Sequence, residues 1–104
     1  MQIQINTDKT INGDERQERY FTTLIEGALA RFESHITKIE VHLSDENGNK
    51  EGANDIRCLL EAKMKGRDPI AVSANADKIE VAINGAIDKA KSALETVIGK
   101  MQNR

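Results

Sequence analysis

Residues Asn75 to Arg104 read as one long amphipathic helix placed after a run of short alternating segments, and that order restricts the chain to folds in which a helix covers a sheet. Ile79, Ala82, Ile83, Ala86, Ile87, Ala90, Leu94, Val97, Ile98 and Met101 recur at three- and four-residue spacing, which lines one face of a helix. Lys78, Asp88, Lys89, Lys91, Glu95 and Lys100 fall on the opposite face. A helix this long needs a broad apolar surface to cover, and the segments before it supply one.

Residues 2–6, QIQIN, alternate strictly, so Ile3 and Ile5 share one side of a strand. A first helix follows, capped by Asn12 or Gly13, with Glu15 placed to complete a capping box. Tyr20, Phe21, Leu24, Ile25, Ala28, Leu29 and Phe32 form its apolar stripe, and it should end near Ser34–His35. Residues 37–43 alternate again, with Ile39, Val41 and Leu43 inward and Lys38, Glu40 and His42 outward. Residues 44–54 are a polar loop rich in turn formers. The next strand, Ile56 to Met64, buries Ile56, Cys58, Leu60 and Ala62 and exposes Arg57, Leu59, Glu61 and Lys63. A short turn at residues 65–68, KGRD, uses Gly66 and leads to a last strand with Ile70, Val72 and Ala74 inward. Pro69 cannot donate to a ladder and suits a strand start or an edge. Every strand has one apolar face and each helix one apolar stripe. The economical fold is α+β, β-α-β-β-β-α, a four-stranded sheet with both helices packed on one face. Its other face would be polar and solvated, as an antiparallel sheet permits.

At 104 residues the chain reads as one domain, 1–104, large enough to fold without staples. Its formal charge of -2 lacks the basic excess usual in nucleic-acid binders. Its lone cysteine, Cys58, rules out an intramolecular disulfide and fits a reducing compartment. The start, MQIQINTDKT, has no basic region leading into an apolar run, and no stretch approaches the ~20 apolar residues that span a membrane. A cytoplasmic protein is the simple reading. With Tyr20, Phe21 and Phe32 its only aromatic residues, the chain offers no platform for stacking bases.

Catalytic and metal motifs are absent from the pattern. The loop DENGN would put Asp45, Asn47 and Asn49 at the first, third and fifth positions of a calcium loop, but Lys50 stands where that loop needs Gly and Ile56 where it needs Glu. His35 and His42 have no second His, Cys or carboxylate at ligand spacing and read as exposed surface residues. Cys58 lies among aliphatic neighbours on an inward face, which describes a buried, inert thiol. There is no phosphate loop, nucleophile elbow or dinucleotide fingerprint. Gly27, Gly85 and Gly99 interrupt helical patterns, where close packing or tolerance explains them better than a ligand. Nothing here calls for an enzyme, a cofactor, a metal or a small-molecule substrate.

The basic residues remain. Arg57, Lys63, Lys65 and Arg67 cluster on the third strand and its turn, and Lys78, Lys89, Lys91 and Lys100 run along the second helix. Lys89 and Lys100 share a face, a stripe able to track phosphates. Glu80, Asp88 and Glu95 are interleaved with these lysines, as on an ordinary solvated surface.

Three stretches carry a resemblance. MQIQIN resembles the first strand, ALARFESHITKIEVHLSDENGN the helix-to-strand junction, and AINGAIDKAKSALE the second helix of the ribosome hibernation-promoting factor and ribosome-associated inhibitor family, in its short, single-domain form. The likeness spans nearly the whole chain. It implies a fold similar to double-stranded RNA-binding domains and a stress or stationary-phase role. In that role the protein docks on the small ribosomal subunit in the mRNA and tRNA channel and inhibits translation by occupancy, through basic side chains on rRNA phosphates. The expected rRNA-binding residues are Lys89, Lys91, Lys100, Arg31, Lys38, Arg57, Lys63, Lys65 and Arg67, with Lys89 best supported because Asp88-Lys89 matches the family's Asp-Lys pair. The chain departs from the pattern at Ser92 and Thr96, often basic in the family. In the first helix, Arg16, Arg19 and Arg31 face Asp14, Glu15, Glu18, Glu26 and Glu33. The C-terminal extension that longer members use to pair ribosomes is not in this sequence, so any pairing would be indirect. The alternative is a divergent member that does not bind ribosomes and acts as a protein-protein interaction module, a homodimer formed through the exposed sheet face around Leu59 or through a sheet edge.

Overall fold

A computed structural model of the chain describes residues 1–8, 15–46 and 55–102. Strand β1 (Gln2–Thr7) leads to helix α1 (Glu15–Ala28), a 3-10 segment (Ala30–His35), strands β2 (Ile36–Asp45), β3 (Ile56–Met64) and β4 (Arg67–Ala76), and helix α2 (Ile79–Gln102). The strands lie in the order β1-β2-β3-β4. The expected element order and the single sheet are both present. The sheet is mixed, however, and not antiparallel throughout: β1 runs parallel to β2, while β2–β3 and β3–β4 are antiparallel. The reason is the α1 crossover, since a helix between two neighbouring strands returns the chain to the same end of the sheet.

Register explains the core. Ile3 and Ile5 lie beside Ile39 and Val41. Ile39, Val41 and Leu43 face Ala62, Leu60 and Cys58, which in turn face Ile70, Val72 and Ala74. One continuous apolar face results, and both helices cover it: Phe21, Ile25, Leu29 and Phe32 from the α1 side, and Ala82, Ile83, Ala86, Ile87, Ala90, Leu94 and Ile98 from α2 are buried in the same cluster. No polar or charged residue is buried among the described residues.

Three boundaries differ from the sequence reading. The first helix was expected to run to Ser34–His35 but changes to 3-10 after Leu29. Leu29 N–H still donates to Ile25 C=O (3.0 Å), whereas Phe32 N–H donates to Leu29 C=O (3.0 Å). This tightening, common at helix ends, delivers the chain into β2 at Ile36 with no intervening loop. The second helix starts at Ile79 and not at Asn75. Asn75 and Ala76 extend β4 by pairing with Arg57 and Ile56, which keeps Ala76 buried. The last turn is also tighter than KGRD: Met64 pairs with Arg67, so the hairpin turns on Lys65–Gly66, and Gly66 takes φ 67°, a conformation glycine adopts without strain. Pro69 lies on β4, an edge strand, as its missing N–H requires. The proposed cap at Asn12 or Gly13 and most of the polar loop, residues 47–54, lie outside the described residues.

Candidate nucleic-acid interface

The strand directions sort the charges into two ends. Strand β4 runs away from the β3–β4 hairpin and α2 runs back over it. Val97 therefore borders an open groove of about 820 Å³ with Gly66, Arg67, Asp68, Pro69 and Ile70. Lys100 lies one turn further along α2 in the same direction. The 3-10 segment reaches this end too, where His35 C=O accepts the Lys65 N–H (3.1 Å). Lys38 and Lys63 sit directly opposite one another near the same end of the sheet, on its open face. Arg31, Lys38, Lys63, Lys65, Arg67 and Lys100 thus lie towards the hairpin end, with Glu33, Glu40, Glu61, Asp68 and Glu95 among them.

At the opposite end the carboxylates dominate. Asp8 N–H donates to Leu43 C=O (3.1 Å) and Glu46 N–H to Asp55 C=O (2.7 Å), which places Asp8, Asp45, Glu46 and Asp55 together. Asp77 follows β4 there, and Glu80 lies in the first turn of α2. Tyr20 Oη donates to Glu80 (3.1 Å), tying α1 to the same end and raising the phenol's pKa through that hydrogen bond and the neighbouring negative charge. The chain's net negative charge is therefore not spread evenly.

Three of the nine expected contact residues lie outside the basic end. Arg57 is near the acidic end, 4.0 Å from Glu46. Lys89 sits midway along α2, where its Nζ donates to the Ser73 carbonyl on edge strand β4 (2.7 Å). Lys91, half-buried, lies one turn before Glu95 and faces the other flank of the helix. Sequence spacing could pair Lys89 with Lys100, but it could not reveal that a backbone carbonyl already engages Lys89. Arg31 forms an ion pair with Glu95, and its guanidinium stands 4.6 Å over the Phe32 ring.

The sheet also assembles a group that sequence spacing did not suggest. His42 was read as exposed and without a carboxylate at ligand spacing, but it is half-buried. Glu40 and His42 share a face of β2, Glu61 lies directly opposite Glu40, and ligand atoms of all three fall within 4.8 Å of one another. The signal lay in the two-residue alternation, but only strand register shows that Glu61 joins it. Glu40 is already committed: one carboxylate oxygen, Oε1, is 3.2 Å from Lys38 Nζ and 3.1 Å from Lys63 Nζ, and the other, Oε2, is 3.7 Å from His42 Nε2. The Lys63 and Lys38 hydrogen bonds hold the Glu40 carboxyl below its ordinary pKa. Two ammonium groups on one ligand compete with a cation, so the trio behaves as part of a charge network. Cys58 is fully buried and burial pushes its thiol up to about 12, so it cannot supply a thiolate nucleophile near neutral pH.

The fold has counterparts among known proteins. The fold superposes on the N-terminal domain of Thermus thermophilus Protein Y with a TM-score of 0.69 at 18% identity, over 93% of this chain and 99% of that one. It superposes on a ribosomal subunit interface protein from Coxiella burnetii with a TM-score of 0.73 at 16% identity, over 95% and 99%. No curated protein sequence matches it. Residues 3–102 match the family described as Sigma 54 modulation protein / S30EA ribosomal protein, the family of hibernation factors that the three sequence stretches resemble, so the chain belongs to that family of binding factors and is not an enzyme.

Proposed function

We propose that the protein is a cytoplasmic, ribosome-associated translation inhibitor that docks on the small subunit near the mRNA and tRNA channel. Its basic end would hold rRNA phosphates. The observation that carries this reading is an uneven distribution of charge: Arg31, Lys38, Lys63, Lys65, Arg67 and Lys100 lie towards the hairpin end, where they outnumber Glu33, Glu40, Glu61, Asp68 and Glu95, while Asp8, Asp45, Glu46, Asp55, Asp77 and Glu80 outnumber Arg57 and Lys78 at the far end. A net-acidic chain can bind a polyanion when several of its cations share one end, because screening at physiological salt limits repulsion from the other end to about 8 Å. Family membership and the name of the Coxiella burnetii relative, a ribosomal subunit interface protein, point the same way. The mechanism would be occupancy: a folded plug held by charge-assisted contacts excludes mRNA and tRNA without chemistry.

The test is co-sedimentation with purified small subunits across a salt titration. About six phosphate contacts predict a loss of roughly a thousandfold in affinity between about 50 and 200 mM salt. Lys65→Glu/Arg67→Glu/Lys100→Glu should abolish binding while leaving the circular dichroism spectrum unchanged, and Lys78→Glu at the other end should have little effect. Absence of saturable binding at low salt by well-folded protein would overturn the proposal and favour the protein-interaction module. Equal losses from Lys78→Glu and the triple variant would remove the hairpin end from it.

A further inference from the structure

Lys38 and Lys63 are directly opposed on the open sheet face, an arrangement that like charges disfavour unless an anion bridges them. In the next row Glu40 and Glu61 are opposed in the same way. Four charges thus form a square in which each carboxylate has a lysine two residues away on its own strand. The ion pairs do not follow that symmetry. Both ammonium groups converge on the same oxygen of Glu40, at 3.2 and 3.1 Å, and Glu61 has no ion pair among the described residues. One carboxylate oxygen between two lysines has the charge and acceptor chemistry of a phosphate oxygen.

We infer that Lys38 and Lys63 form an anion cradle which Glu40 fills in the free protein, so that an RNA phosphate engages this pair only by displacing Glu40, and Glu40 sets the affinity of that part of the surface. The inference deepens the proposed function and rests on it for the identity of the RNA, but the exchange itself belongs to the cradle and can be measured on any A-form phosphate backbone. Lys65, Arg67 and Lys100 have no ion pair among the described residues and would make first contact. The cradle would add its contacts only where a phosphate comes close enough to replace the carboxylate. Such a device restrains binding to stray nucleic acid and favours a surface that presents phosphates in the right place.

The test compares the full chain with Glu40→Gln and Glu61→Gln, using a short RNA duplex of arbitrary sequence and, in parallel, purified small subunits. Both variants change net charge equally, but only Glu40→Gln empties the cradle. Glu40→Gln should bind the duplex about fivefold or more tightly at about 0.1 M salt, with a salt dependence steeper by about one to two phosphate contacts, and Glu61→Gln should change affinity less than about twofold. The gain should vanish in a Lys38→Met/Lys63→Met background. If Glu40→Gln folds poorly, Glu40→Ala serves instead, since it removes the same charge and empties the cradle. Equal gains from Glu40→Gln and Glu61→Gln, a gain that survives loss of both lysines, or no duplex binding by any variant would overturn the inference. Wild-type binding to small subunits with no effect of Glu40→Gln would leave the proposed function standing and remove the cradle. A lysine-dependent gain on the duplex without any small-subunit binding would do the reverse.

Discussion

Gly85 packs α2 tightly against β4, and replacing it isolates that contact. A Cβ at Gly85 would meet the Ala74 Cβ on β4 at 3.0 Å, well inside the roughly 3.5–4.0 Å at which carbon atoms rest. Ala74 cannot rotate away, because its Cβ is fixed to the strand. Relief therefore requires lifting α2, which loosens Ile83, Ala86, Ile87 and Ala90, all buried beneath it. Two effects oppose one another in Gly85→Ala. Alanine favours the helix over glycine by about 1 kcal/mol. Overpacking costs about 1–3 kcal/mol. The substitution should therefore be neutral to destabilising by about 2 kcal/mol, and Gly85→Val, with more bulk at the same point, destabilising by about 2–4 kcal/mol. The decisive measurement is a double-mutant cycle by urea unfolding followed by circular dichroism. In an Ala74→Gly background the clash is gone and only helix propensity remains, so Gly85→Ala should there stabilise by about 1 kcal/mol. A Gly85→Ala variant that gains about 1 kcal/mol in both backgrounds, with no coupling between the sites, would refute the reasoning.

Other outcomes follow from single residues. Gly66→Ala forces a side chain into the left-handed region at φ 67° and should cost about 1–2 kcal/mol in the same unfolding assay, with Gly66→Asn costing less. The Cys58 thiol, pushed up to about 12 by burial, should resist a thiol reagent at pH 8 in the native protein and react at once when unfolded. Because its folded pKa lies above the unfolded value of about 9, the folded state holds the proton more tightly. Its stabilising contribution is intact below about pH 9 and declines by up to about 1.4 kcal/mol per pH unit as pH rises toward 12. Tyr20 is the chain's single tyrosine, so an ultraviolet titration reads it alone. It should ionise above the ordinary phenol range, and Glu80→Gln should bring it back down, a result that an absent Tyr20–Glu80 bond would not give.

The legible part of this protein is what period alone encodes. Alternation at two placed Ile39, Val41, Leu43, Cys58, Leu60 and Ala62 on one face, and helical spacing placed Ile25, Leu29, Ile83, Leu94 and Ile98 against it; all are buried as expected. Burial follows period because one apolar face per element leaves few ways to pack. Boundaries were less legible. Asn75 and Ala76 fit a helix or a strand locally, and their pairing with Arg57 and Ile56 decided for the strand. The mixed sheet was likewise a matter of connection, since QIQIN alternates identically in either direction.

The candidate site divides along the same line. Residue type alone named the cations, and they were read as one set because charge is visible in sequence. Only the fold separates them: the return of α2 over β4 brings Val97, one turn before Lys100, to the groove that Arg67 lines, the hydrogen bond to Ser73 holds Lys89 at the sheet edge, and Arg57 lies near the acidic end with Glu46. Which cations are free and which are already held depends on strand register, as at Glu40 between Lys38 and Lys63. Sequence determines which side chains carry charge and which share a face of their own element. Distances between elements are set by packing, and electrostatic interaction depends on those distances.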